Sequence, residues 1–371
     1  MRPWYALAAP EDTDSPALLV YPERIAANIR TMIQMAGGAA RLRPHVKTHK
    51  MEAVVKMQLD QGIRKFKCAT IAEAEMLAAA GAPDVLLAYQ LPLPRIGRLI
   101  RLIRTYPGTR FASLIDNTAS ARLLEAQFAT AGLEAQVWID VDNGMHRSGL
   151  PPDDSLLTLY EQLLSYSHIR CYGLHVYDGH IREKEFEKRR SLTEAAFAPV
   201  NEILQKIAEK GLPPLQIVAG GTPTFPVHAL HPERQCSPGT CLLWDEGYRL
   251  GLPEQPFLHA AVLLTRIISK PAPGLLTADL GHKAVAAENP PDRRIFLLNL
   301  DGYTVSGQSE EHLVLSVSPP EWERWQTGDV LYGIPYHICP TVALYDEAVV
   351  VKEGRTAGAW PVTARGRKLT V

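Results

Sequence analysis

At 371 residues, 46% of them hydrophobic, the chain is long enough to bury a large core and predicts two domains. Lysine plus arginine (39) almost balance aspartate plus glutamate (40), which leaves no strong field to favour nucleic acid or an anionic membrane. Five cysteines, an odd number without a C-x-x-C pair, predict reduced thiols in a cytoplasm rather than a disulfide framework.

The N-terminus has one short apolar run, Trp4 to Pro10, closed by Glu11-Asp12, so neither a signal peptide nor a membrane span is expected. Pro16 to Tyr21 reads as a strand. Pro22-Glu23-Arg24 opens a helix with Ile25, Ile29 and Ile33 on one face. After Gly37-Gly38, extended runs at 41–47, 65–70, 84–89, 110–116, 136–142, 169–177, 215–219 and 235–244 alternate with helical patterns such as Glu185 through Lys210. Eight such units predict an α/β fold, a closed (β/α)8 barrel. An open doubly wound sheet is the alternative, but no G-x-G-x-x-G follows the first strand. Past about residue 250 the pattern changes to β-like runs at 260–268, 275–280, 294–300, 312–317, 329–333 and 343–351, a C-terminal all-β domain. The expected domains are a barrel over 17–250 and a β-rich domain over 251–371, joined by 1–16.

Arg41 to Lys50 places Lys47 where an inward-pointing strand residue meets a loop, the position at which barrels hold reactive groups. A free lysine, with a pKa of about 10.4, is a poor nucleophile near neutrality. Crowding by Arg43, His45, His49 and Lys50 would disfavour its charged form and free it for a Schiff base; a solvated basic turn is the alternative. In the strand-ending turn Asp140 to Gly149, Arg147 could hydrogen-bond an anionic oxygen or pair with Asp142. Gly220-Gly221-Thr222 and Ser237-Pro-Gly239-Thr240 both suit a phosphate, through close backbone approach and a hydroxyl. His337-Ile-Cys339 sets two metal-ligating side chains on one face if extended.

These segments, with Ser309-Glu-Glu-His and His337 through Asp346, resemble the D-threonine aldolase / D-serine dehydratase group. Its members are fold-type III enzymes of pyridoxal phosphate related to alanine racemase. The resemblance covers nearly the whole chain, with the motifs in order, and implies a barrel, a C-terminal β domain and a homodimer. It implies that Lys47 attaches the cofactor, Arg147 pairs with its phenolic oxygen and Tyr177 lies near its pyridine nitrogen. Gly221, Thr222, Gly239 and Thr240 would hold its phosphate. His337 and Cys339 would bind a divalent metal (zinc, manganese or magnesium) gripping the substrate's β-hydroxyl, with His180 as the base.

The implied activity is metal-assisted retro-aldol cleavage of a D-β-hydroxy amino acid to glycine and an aldehyde. Cys339 resembles the dehydratases, where aldolases often carry aspartate, and thiolate favours zinc. The segments 174–181 and 280–287 resemble the aldolases more, and the aldolase is the preferred expectation. The alternatives are a D-serine or D-threo-3-hydroxyaspartate dehydratase, a racemase using Tyr303, Tyr332, Tyr336 or Tyr345 as a second base, and a non-catalytic cofactor carrier.

Overall fold

The first strand, β1 (Ala17–Val20), does not enter the barrel. In the computed structural model, which describes residues 2–371, it pairs antiparallel with Ala261–Ser269 and parallel with Glu347–Lys352. Two compact units result. One holds the chain through Arg30 with Thr48–Val54 and Thr240–Arg365; the other holds Thr31–Lys47, Val55–Gly239 and Gly366–Val371. This division differs from the expected 17–250 and 251–371. Leu18, Leu19 and Val20, all buried, bond to strands far along the chain, and their apolar run alone cannot say which sheet receives them.

In the barrel unit β2 (Lys65–Cys68), β3 (Asp84–Gln90), β4 (Arg110–Ile115), β5 (Ala135–Val141), β6 (Ile169–Val176), β7 (Gln216–Ala219) and β8 (Arg234–Cys236) form one parallel sheet in chain order. The expected strand 41–47 is instead a 3-10 turn, Ala39–Arg41, followed by isolated bridges from Leu42 to Cys236 and from His45 to Lys67. Pro44 has no N–H, which limits the ladder, but its carbonyl accepts from Lys67 N, and Val46 N donates to Lys67 O, both at 2.9 Å. The segment thereby joins β8 to β2 and closes the ring. Leu86, Ala112, Leu114, Trp138 and Val218 pack together within this unit. Five longer helices intervene between strands, among them Phe186–Glu209, capped by the Glu185 carboxylate.

The other unit carries β9 (Ala261–Ser269), β10 (Leu275–Ala278), β11 (Ile295–Leu297), β12 (Thr304–Gln308), β13 (Leu313–Ser316), β14 (Val330–Pro335), β15 (Glu347–Lys352) and β16 (Arg355–Pro361). With β1 they make a nine-stranded sheet whose main path runs β12-β13-β10-β9-β1-β15-β16. Leu19, Val262, Leu264, Tyr332, Ile334 and Val351 form its core cluster. β12 and β16, which no sequence pattern marked, bury no residue fully: β12 is partly exposed and β16 almost wholly so. Residues 343–346 turn out of a short helix, Ile338–Val342, before β15 begins. No helix among the described residues is long and apolar enough to cross a membrane.

Candidate active site

A cavity of about 350 Å³ in the barrel unit is lined by His45, Lys47, Lys67, Gln90, Arg147, Ser148, His175 and Tyr177, with Ala69, Ala88 and Tyr89. Three of these are permanent or potential cations grouped around one ring. Lys47 Nζ, Lys67 Nζ and Arg147 Cζ lie 5.9, 5.5 and 4.7 Å from the Tyr177 centroid. Lys47, Arg147 and Tyr177 are thus brought together.

The cationic crowding has a different source from the one expected. Arg43 turns to Asp84, 2.6 Å away, and His49 and Lys50 belong to the other unit. Only His45, whose Nδ1 accepts from Lys47 N at 3.2 Å, shares the cavity. The crowding groups come from elsewhere in the barrel: Lys67 on β2 and Arg147 after β5. Arg147 also leaves Asp142 free for its own loop, where that carboxylate accepts from Gly144 N and His146 N and pairs with His146 Nδ1 at 3.0 Å. The Asp142–Arg147 ion pair does not form, because Asp142 caps the turn.

Lys67 escaped sequence reading because one lysine in a short run, Lys65-Phe-Lys-Cys, looks like surface alternation. It is buried, and its hydrogen-bonding partner is His175 Nε2 at 3.5 Å. Burial, reinforced by the charge of Lys47, pulls its ammonium down to about 7. His175 Nδ1 in turn meets Asp140 Oδ1 at 2.7 Å. Burial alone would raise the Asp140 carboxyl, but hydrogen bonds from His175, Ser148 and Gln90 bring it below its ordinary range.

Gly220, at φ +71°, and Gly221 form the turn after β7. A Cβ on Gly221 would stand 3.0 Å from the Tyr177 ring, and Gly239 N donates to Thr222 Oγ1 at 3.2 Å. Gly221, Thr222 and Gly239 are therefore assembled beside Tyr177, although they do not line the cavity itself. Thr240 belongs to the other unit, where its hydroxyl lies 3.4 Å from Cys339 Sγ. Beneath the turn, fully buried Asp178 accepts from Thr224 Oγ1 at 2.6 Å and from His228 at 2.7 Å, and Arg234 meets the far side of that imidazole. His180 is exposed, against Gly144, and does not line the cavity; His175 does.

In the other unit His337 caps the helix Ile338–Val342, so the His337-Ile-Cys339 segment is not extended. The two side chains nevertheless influence each other's charge. Cys339 Sγ also lies 3.2 Å from Thr48 Oγ1, and His337 Nδ1 lies 2.5 Å from Glu288. Burial would lower the imidazole, but Cys339, Asp245 and Glu288 push it up to about 9. Burial would raise the thiol, but His337, Thr240 and Thr48 hold it below its usual value. A thiolate is the ligating form of cysteine, so this pair fits two positions of a metal shell. No group of three or more ligating side chains occurs among the described residues, so water or substrate would complete it. Of the tyrosines considered as a second base, Tyr303, Tyr332 and Tyr345 engage their hydroxyls with backbone groups.

Among the described residues, no aspartate or glutamate lines the cavity. An anionic aromatic aldehyde fits that arrangement, with an amine for its carbonyl and guanidinium and ammonium groups for its charge. Residues 20–246 match the alanine racemase N-terminal domain model, and residues 260–351 match a serine dehydratase domain model. The chain belongs to the D-threonine aldolase / D-serine dehydratase family of fold-type III pyridoxal phosphate enzymes. It is 28% identical to the D-threonine aldolase of an Arthrobacter species, over 95% of this chain and 93% of that one. It is 28% identical to the D-threo-3-hydroxyaspartate dehydratase of a Delftia species, over 90% and 92%. Among solved structures, D-threonine aldolase from Filomicrobium marinum superposes with a TM-score of 0.88 at 25% identity, covering 97% of both chains. The family fold, an alanine racemase-like barrel with a C-terminal, mostly β domain, is the one described above.

Proposed function

We propose that the chain is a pyridoxal phosphate- and metal-dependent lyase of D-threonine aldolase type, cleaving D-β-hydroxy amino acids to glycine and an aldehyde. The observation that carries this reading is the placement of Lys47 with Lys67 and Arg147 in a cavity that no carboxylate lines among the described residues. Lys47 would attach the cofactor, Arg147 would donate to its phenolic oxygen, and Tyr177 would flank its ring. Gly221, Thr222, Gly239 and Thr240 are the proposed phosphate ligands. The bound cofactor supplies an electron sink for the pair left at Cα when the bond to Cβ breaks.

The protein's own part is positional and electrostatic. Arg147 would fix an anionic oxygen through its planar guanidinium donors. Lys47 would also serve as the amine that returns a proton to Cα. His180, exposed beside Gly144, is the proposed acceptor of the β-hydroxyl proton. A divalent metal on His337 and Cys339 would polarise the β-oxygen as a Lewis acid. The low thiol pKa of Cys339 supports zinc among the possible ions.

Cys339 also supports a second reading, a dehydratase, in which Lys47 takes the α-proton and the β-hydroxide leaves. The deciding experiment incubates cofactor-loaded protein with D-threonine and with D-serine, with and without chelator, and identifies products by mass. Glycine and acetaldehyde, lost on chelation, are expected. Pyruvate from D-serine, or 2-oxobutanoate from D-threonine, would establish the dehydratase. L-isomers without cleavage would establish a racemase. A homodimer and a cytoplasmic location are part of the same proposal.

A further inference from the structure

Lys67 is a chemically expensive residue to bury. Its neighbours on β2, Phe66 and Cys68, are fully buried, and Lys67 itself is 2% exposed. Four groups of charged or titratable side chains surround it, while the adjoining strand β3 sets Leu86 opposite it and adds Tyr89 and Gln90 to the cavity lining. Lys47 and His45 come from the bridging segment, Asp140 from β5, Arg147 from the loop after it, and His175, Tyr177 and Asp178 from β6 and its end. Neither carboxylate ion-pairs with it directly: Asp140 is engaged by His175, Gln90 and Ser148, and Asp178 by His228 and Thr224. An apolar residue would serve the barrel better if packing were the only requirement.

The orientation of His175 shows what holds the amine. With Nδ1–H donated to Asp140, Nε2 presents a lone pair to Lys67 Nζ. An acceptor on one side and an open cavity on the other leave the remaining hydrogens of an ammonium directed toward a ligand.

We propose that Lys67 is a proton-linked anion grip: it takes up a proton as the phosphorylated cofactor enters, and then holds part of the cofactor's negative charge. This rests on the cofactor reading above and adds a second cation, beside Arg147, to the groups that read it. In cofactor-free protein, burial and Lys47 favour the neutral form of Lys67 somewhat above neutrality. An arriving anion reverses the balance and favours the charged form. Binding therefore draws a proton from solution. Lys67 is a binding and positioning group here, distinct from the amine that attaches the cofactor.

The test is calorimetric titration of cofactor-free protein with pyridoxine 5'-phosphate, at about pH 8 in buffers of different ionisation heat. This probe has the ring and the phosphate but no aldehyde, so it cannot react with Lys47. Compared with Lys67→Met, the unmodified protein should take up roughly one additional proton per molecule bound. Lys67→Met should bind about tenfold or more weakly, whereas Lys67→Arg, permanently charged, should recover affinity without the additional proton. Changes in the probe's own phosphate ionisation are common to all three proteins and cancel. Equal proton uptake and affinity in Lys67→Met would overturn the grip while leaving the cofactor reading intact. Failure of the unmodified protein to bind would overturn the cofactor reading itself. Should Lys67→Met not fold, proton uptake equal to that of the unmodified protein in Lys67→Arg would overturn the grip.

Discussion

His175 Nδ1 and Asp140 Oδ1 lie 2.7 Å apart, and this contact decides which ring nitrogen faces the cavity. Asp140→Asn replaces an obligate acceptor with a group that can also donate, so the tautomer is no longer fixed and Lys67 loses its acceptor for part of the population. A loss of about tenfold in cofactor affinity is expected, at the scale of one buried hydrogen bond. Fluorescence titration of the cofactor-free protein measures it, and unchanged affinity would show that the tautomer is immaterial.

Lys67 also makes a prediction about stability. Its folded pKa, about 7, lies below that of an exposed lysine. From pH 7 upward to the unfolded value the unfolded chain binds the additional proton, so stability rises with pH across that window. Below it the burden is fully present. Cofactor-free Lys67→Met should therefore be more stable than the unmodified protein at pH 6, with the advantage shrinking toward pH 10. Melting temperatures across that range read this directly; a constant offset would contradict it.

Asp84 supplies the opposite sign. Burial would raise its carboxyl, yet Arg43 and Arg110 hold it below the ordinary carboxylate range. Its stabilisation is present above the unfolded pKa of about 3.9 and is lost as pH falls through the lower folded value. Asp84→Asn should lower stability at neutral pH and flatten the acid limb of a urea-denaturation series. Removing one partner of so buried a pair costs about 3–5 kcal/mol.

Gly220 and Gly132 give a matched pair. Both have positive φ, +71° and +66°, but a Cβ on Gly220 would stand 2.5 Å from the His228 ring and 2.7 Å from Thr224 Oγ1, whereas nothing lies within 4 Å at Gly132. Gly132→Ala should cost about 1 kcal/mol from backbone strain alone. Gly220→Ala should cost distinctly more and weaken phosphate-ester binding, because the turn rests on the Asp178–His228 pair. Equal losses at both sites would mean that the turn adapts.

In the proposed metal site, Cys339→Asp would exchange a soft ligand for a hard one. Metal content by mass spectrometry should shift from zinc toward manganese or magnesium. The ratio of aldehyde to keto-acid product from D-threonine, measured on the same samples, shows whether the ligand also directs the reaction. Unaltered metal content would place the metal elsewhere.

The repeat of strands and helices was legible because burial on both faces of a parallel sheet demands runs of apolar residues, which local pattern records. Lys47, Arg147, Tyr177 and the glycine turns were legible because their order along the chain is itself a motif. His337 and Cys339 were legible as a pair, but the helix that begins at Ile338 replaced the extended geometry expected for them. The sheet that receives β1, the partner of Arg43, the turn-capping role of Asp142 and the burial of Lys67 were decided only by the tertiary structure. Each depends on groups brought together across long stretches of chain or on competition between neighbouring acceptors. Local sequence sets what a side chain can do, whereas solvent exclusion and the charges of distant residues set which of those things it does.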